Sequence, residues 1–180
     1  MRVLVVYESM FGNTRAVALA IAEGIAERVP VETFEIGDAP AVPAPDVDLL
    51  VVGGPTHGHG LTTESSRADA ARRAGSRLVS RGAGMREWIG GMLPAARPVT
   101  AAAFDTRIKG PEFLWGSAAK GATKLLTTAG FRVLPPKSFL VGGPTGDLFD
   151  RLDAEELDKA RAWGRELAAA VAGAPVAAAR

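Results

Sequence analysis

The sequence predicts a three-layer α/β domain built on an open, parallel, five-stranded sheet in the order 2-1-3-4-5. Three observations lead there. Strand-like apolar runs alternate with helix-periodic segments from one end of the chain to the other. The runs Val3–Tyr7, Val47–Val52 and Val99–Phe104 are apolar almost throughout, as expected of strands covered on both faces. The runs Val31–Ile36 and Phe131–Val141 are respectively mixed in polarity and broken by Pro135 and Pro136, as expected of edges.

Each element follows from its residues. Strand 1 stops at Glu8-Ser9-Met10-Phe11-Gly12-Asn13, and a helix opens near Thr14. Val17, Ile21, Ile25 and Val29 mark its apolar face, with Arg15, Glu23 and Glu27 opposite. Pro30 turns the chain into strand 2, where Val31, Thr33 and Glu35 alternate with Glu32, Phe34 and Ile36. An edge position for this strand selects 2-1-3-4-5 over 3-2-1-4-5, which would bury it. Gly37–Asp46, with its prolines, reads as a loop. Thr62–Leu93 reads as helical stretches interrupted by Gly75, Gly82 and Gly84. Its arginines, Arg67, Arg72, Arg73, Arg77, Arg81 and Arg86, form either a solvated face or a docking surface for an acidic partner. Ser117–Ala129 is a serine-capped helix closed by Gly130. Asp153 and Glu156 form a cap for the last helix, which turns Leu157, Ala160, Gly164, Leu167 and Val171 inward. The domain is expected to span 1–172, with 173–180 a flexible tail.

Composition narrows the function. The chain has no cysteine, which excludes disulfides, thiolate metal sites, iron–sulfur clusters and cysteine nucleophiles. A net charge of +1 points to neither nucleic acid nor membrane. No stretch approaches the roughly 20 apolar residues of a membrane span, so a cytoplasmic protein is the expectation. His57 and His59 are the only histidines and have no nearby carboxylate or third histidine to complete a metal site. No nucleophile-elbow pattern surrounds Ser65 and Ser66, and no catalytic residue is assigned.

In an open parallel sheet, ligands bind beyond the carboxyl ends of the strands, where strand order reverses. Here that point lies between strands 1 and 3, where Glu8–Asn13 and Gly53–Thr63 meet. The first of these loops suits a phosphate: Ser9 and Thr14 carry hydroxyls, Gly12 permits close backbone approach, and a helix N-terminus follows. Neither a Gly-rich dinucleotide fingerprint nor a P-loop lysine is present, which argues against adenine dinucleotides and ATP.

The run Val5-Val6-Tyr7-Glu8-Ser9-Met10-Phe11-Gly12-Asn13-Thr14, followed by Ala18 and Ile21, resembles the N-terminal signature of the flavodoxin family. Flavodoxins have this strand order with FMN at the switch point, so the cofactor expectation comes from the resemblance. It implies a flavodoxin-like fold and non-covalent FMN. The phosphate would sit in Ser9, Met10, Phe11, Gly12, Asn13 and Thr14, and the flavin between Pro55, Thr56, His57, Gly58, His59 and Gly60 and the third loop, beginning Phe104, Asp105, Thr106 and Arg107.

The chain departs from the family pattern in three places. Phe11 replaces a frequent hydroxyl residue, His57 and His59 stand where an aromatic often covers the flavin, and the third loop lacks the usual stacking tyrosine. Phe104, Phe113 or Trp115 would take the place of that tyrosine. Arg107 faces either the cofactor or a surface ion pair with Asp105 or Glu112. The leading reading is an electron carrier working with a redox partner protein, either a reductase or a terminal acceptor. The alternatives are an FMN-dependent NAD(P)H:quinone-type oxidoreductase, with Thr62–Leu93 as a lid, and a flavodoxin-fold anion-binding module without flavin.

Overall fold

The computed structural model describes residues 1–41, 47–92, 99–142 and 152–173. The expected tail, beyond Gly173, lies outside these residues, as does the end of the Gly37–Asp46 loop. Six strands, all paired in parallel, form one sheet: β1 (Arg2–Tyr7), β2 (Val31–Glu35), β3 (Val47–Pro55), β4 (Thr100–Ile108), β5 (Arg132–Val133) and β6 (Lys137–Val141). Their order is β2-β1-β3-β4, with β5 and β6 both pairing with β4 along the far side. The expected fifth strand is therefore one edge in two pieces. Arg132–Val133 pairs with Thr100–Ala101, Lys137–Val141 pairs with Phe104–Ile108, and Leu134-Pro135-Pro136 stands between them.

The helices are α1 (Asn13–Ala26), α2 (Glu64–Ala74), α3 (Met85–Gly90), the single turn α4 (Glu112–Trp115), α5 (Ala118–Thr128) and α6 (Ala154–Ala172). Alternation along the strands divides the core into two layers. Val3, Val5, Leu49, Val51, Phe104 and Phe139 meet Val17, Ile21, Ile25, Trp163 and Leu167 of α1 and α6. On the other face, Leu4, Val6, Leu50, Val52, Ala101 and Ala103 meet Met85, Ile89, Ala122 and Leu126 of α3 and α5.

Two expectations are corrected. Strands 3 and 4 run past Val52 and Phe104, because Gly53, Gly54 and Pro55 stay in register with Phe104, Asp105 and Thr106. Gly53 is required there, since a Cβ would lie 2.0 Å from the Phe104 ring. The Asp153–Glu156 cap does not form either. Asp153 makes no capping bond and takes Lys109 Nζ at 3.0 Å. Glu156 is buried and accepts the Leu140 N–H at 2.8 Å, satisfying a backbone donor of the outermost strand.

α1 and α6 approach backbone to backbone. A Cβ on Gly24 would lie 2.1 Å from the Arg161 carbonyl oxygen, and one on Gly164 would lie 2.2 Å from that of Ile21. Gly164→Ala must therefore push the helices apart. The expected loss is about 1–3 kcal/mol of stability, the usual cost of overpacking, read from urea unfolding. A variant as stable as the parent would show that the helices are free to separate.

Candidate functional site

The first loop is shaped by its own hydroxyl. Ser9, fully buried after β1, accepts the N–H groups of Gly12 at 3.2 Å and Arg15 at 3.3 Å through its Oγ. Gly12 caps α1 at φ +92°, a left-handed conformation that glycine reaches without cost. The loop is also held from behind. The Ser9 N–H donates to Ser80 Oγ at 2.8 Å, the Ser80 N–H to Ser9 O at 2.8 Å, and the Val79 N–H to Met10 O at 3.2 Å.

The second loop contains a tight turn. The His57 N–H donates to Gly60 O at 3.0 Å and the Gly60 N–H to His57 O at 3.3 Å, with Gly58 at φ +55° and His59 at φ +74°. Two successive left-handed residues define a type I′ turn. His59 is the only non-glycine residue with positive φ among the described residues. It lies against Gly116, where a Cβ would come within 2.0 Å of the His59 carbonyl oxygen. The His57 ring sits 6.3 Å from that of Phe11. Burial, and after it the charge of Arg73, holds His57 below the usual imidazole range.

Asp105 joins the second and third loops. It is wholly buried within β4, and its Oδ2 accepts Ser117 Oγ at 2.6 Å, the Ala119 N–H at 2.9 Å and Thr56 Oγ1 at 3.2 Å. Thr56 in turn accepts the Ala118 N–H at 2.9 Å, and its own N–H donates to Thr106 O at 2.9 Å. Thr106 reaches the first loop through a 2.7 Å hydroxyl contact with Thr14. One of those hydroxyls donates to the other, which leaves the pair one proton to give elsewhere.

Glu8 fastens the opposite side. Its buried carboxylate accepts Thr62 Oγ1 at 2.5 Å and the Met85 N–H at 2.8 Å. Arg67 continues this network, donating to Thr62 Oγ1 at 3.2 Å and gripping both Glu87 oxygens at 3.1 and 3.2 Å. Glu87 itself accepts the Gly84 N–H at 3.0 Å.

Above these networks the loops enclose a cavity of about 410 Å³, within the range of small-molecule sites. Of the expected residues, Ser9, Met10, Phe11, Asn13 and Thr14 line it from the first loop. Pro55, Thr56, His57, Gly58 and His59 line it from the second, and Thr106 and Arg107 from the third. Gly12 and Gly60 shape the turns beside it. Phe104 does not reach it: the ring is in the core, 6.1 Å from Phe139 and 6.4 Å from Trp163. Asp105 lies beneath the floor rather than in it. Arg107 donates one Nη to Gly110 O at 2.9 Å rather than pairing with Asp105 or Glu112, and its buried Nε has no hydrogen-bond partner among the described residues. Trp115 lines the mouth, while Phe113 stands 84% exposed.

Sequence reasoning missed the wall made by α2. Ser66, Asp69, Ala70 and Arg73 face the cavity, at the i, i+3, i+4, i+7 spacing of one helix stripe. That spacing was visible, but a polar stripe on a polar helix carries no sign of what it faces. Among the described residues no cluster of histidine and carboxylate side chains could hold a metal ion. No helix there is long and apolar enough to cross a membrane.

A doubly wound parallel sheet with a three-loop cavity at the β1/β3 reversal defines a flavodoxin-like α/β protein. The family model for flavodoxin matches residues 5–93, from β1 through α3. Its solved structural neighbours include a flavodoxin from the domain Archaea, 20% identical over 96% of this chain and 99% of that one, with a TM-score of 0.64. A Streptococcus pneumoniae flavodoxin is 16% identical over 94% and 99%, with a TM-score of 0.61. A flavone reductase is 17% identical over all of this chain and 66% of its own, also with a TM-score of 0.61. At such identities the likeness is one of fold. No curated protein matches the chain in sequence.

The Glu8 network has a pH signature. Burial raises the Glu8 carboxyl above the usual value near 4.5, outweighing the Thr62 and Met85 hydrogen bonds. Between that value and the raised one, the folded state holds a proton that the unfolded state has lost, so Glu8 lowers stability as pH rises. Glu8→Gln is neutral throughout. Its stability relative to the parent is expected to climb as pH rises from about 4.5 through the raised value, measured by urea unfolding across a pH series. A difference that moves the other way would show that the hydrogen bonds, not burial, govern this carboxyl.

Proposed function

We propose that the cavity binds FMN and that the chain is an electron-transfer flavoprotein serving a redox partner protein. The carrying observation is the cavity itself, formed at the switch point by three loops that buried carboxylates and hydroxyls hold together. Its volume, the Gly12 turn at the head of α1 and the unpartnered buried Nε of Arg107 suit a planar, anionic cofactor. In this reading Ser9–Thr14 hold the phosphate, while His57, Gly58, His59, Thr106 and Arg107 contact the flavin. Bound FMN supplies the redox chemistry, and the protein's part is to orient it, shield it and set the charge around it.

The second-loop turn supports a carrier. Gly at the first central position is the signature of a type II′ turn, yet here Gly58-His59 forms type I′. Rotating the Gly58–His59 peptide would leave Gly58 at positive φ and bring His59 back to negative φ. The left-handed conformation costs a residue with a Cβ roughly 1–2 kcal/mol, and the rotation removes that cost. The residues of this loop are thus compatible with a second turn form. Each form turns a different side of one peptide toward the cavity.

Two measurements test this. Protein purified with FMN is expected to show the visible absorption of a bound flavin, and a colourless protein that takes up no FMN would refute the reading. Steady-state NAD(P)H oxidation that reduces an added quinone would favour the reductase alternative, which the open, apolar mouth at Ile108, Trp115 and Val141 would accommodate. For the carrier, Gly58→Val is expected to keep FMN bound while drawing the two one-electron potentials together, because valine resists positive φ in either turn form. Unmoved potentials in spectroelectrochemistry would remove the turn from the redox function.

A further inference from the structure

The polar stripe of α2 has a direction. The helix leaves the second loop at Glu64 and ends at Ala74, and five residues further on the chain reaches the first loop, where Val79 and Ser80 bond to Met10 and Ser9. From Ser66 to Arg73 it covers roughly 10 Å, at 1.5 Å per residue. Ser66 therefore stands at the flavin-loop end of the cavity and Arg73 at the phosphate-loop end. His57, whose ring lies 6.3 Å from that of Phe11 of the first loop, feels the charges of Arg73 and Asp69, so this end of the stripe lies where the first and second loops meet.

The charges along the stripe are uneven. Asp69 is shared: Arg73 Nε meets its Oδ2 at 3.1 Å and Arg72 Nη2 meets its Oδ1 at 3.1 Å. One carboxylate between two guanidinium groups leaves a net positive charge, and the bond through Nε leaves both Nη groups of Arg73 to face a ligand. Ser66 is already satisfied by its own helix cap at Thr63. The first loop, Ser9–Thr14, contains no cation, although a phosphate monoester carries about −1.5 to −2 charges near neutral pH. Of the side chains lining the cavity, the permanent cations are Arg73 and Arg107. Arg107 lies near the end of β4 and is engaged with Gly110.

We propose that Arg73, oriented by Asp69, is the cation that meets the cofactor's phosphate, so that α2 makes the site selective for FMN over the same flavin without its phosphate. This rests on the FMN reading above. A guanidinium–phosphate contact supplies charge-assisted hydrogen bonds that neutral loop donors do not match, and the exposure of Arg73 makes the contact sensitive to salt.

The test titrates the full-length apoprotein with FMN and with riboflavin, following flavin fluorescence at low and high ionic strength. Arg73→Gln is expected to weaken FMN roughly tenfold at low salt, to leave riboflavin unchanged and to flatten the salt dependence of FMN binding. Arg72→Gln shares the Asp69 contact but lies outside the cavity, and is expected to bind FMN as the parent does. If Arg73→Gln leaves FMN affinity unchanged, or weakens FMN and riboflavin alike, the assignment falls while the FMN reading stands. A parent protein that binds neither flavin overturns both.

Discussion

The Asp105 carboxylate is the constraint on which the rest of the site depends. A charge taken wholly out of water survives only with donors around it, and Asp105 draws its donors from elements far apart in sequence. Thr56 comes from the second loop, Ser117 and Ala119 from the start of α5, where the helix N-terminus favours an anion. Because Thr56 and Thr106 are bonded and Thr106 touches Thr14, the position of this carboxylate is felt in all three loops. Loss of the carboxylate would release several donors at once.

Glu8 does the corresponding work on the other side of the first loop. Glu8 directly follows β1 and Asp105 lies within β4, the strands on either side of β3, and the two brace the cavity from both flanks. They differ in company. Asp105 is held by neutral donors and a helix terminus, whereas Glu8 leads through Thr62 to the Arg67–Glu87 pair at the surface. The segment after α2 is thereby fixed twice, through Ser80 against Ser9 and through Met85 against Glu8. The described part of Thr62–Leu93 thus contributes a wall of the cavity and a buttress to its loops.

Much of this was legible in the residues. The buried character of Val3–Tyr7, Val47–Val52 and Val99–Phe104, against the mixed Val31–Ile36 and the proline-broken last strand, determined the order of the sheet. The first loop was visible because strand, hydroxyl, glycine and helix stripe follow one another locally. What escaped depends on contacts between distant segments. Gly53 looked like a strand end, yet it is the space into which the Phe104 ring packs from the neighbouring strand, and so Phe104 belongs to the core. Asp105 looked like a ligand-facing carboxylate, since nothing nearby in sequence announces the helix terminus that reaches it. Glu156 looked like half of a capping box because its true partner, the Leu140 N–H, lies on another element.

That last contact bears on how the molecule behaves among its own copies. An outer strand with a continuous row of free backbone donors and acceptors invites another chain to add a strand to it. Here Pro135 and Pro136 interrupt the row between β5 and β6, and Glu156 occupies the Leu140 donor from within the same molecule. The edge that closes the sheet beside the cavity is thus unsuited to templating aggregation, and the protein can keep a wide, open site at its loop end without offering a sticky flank next to it.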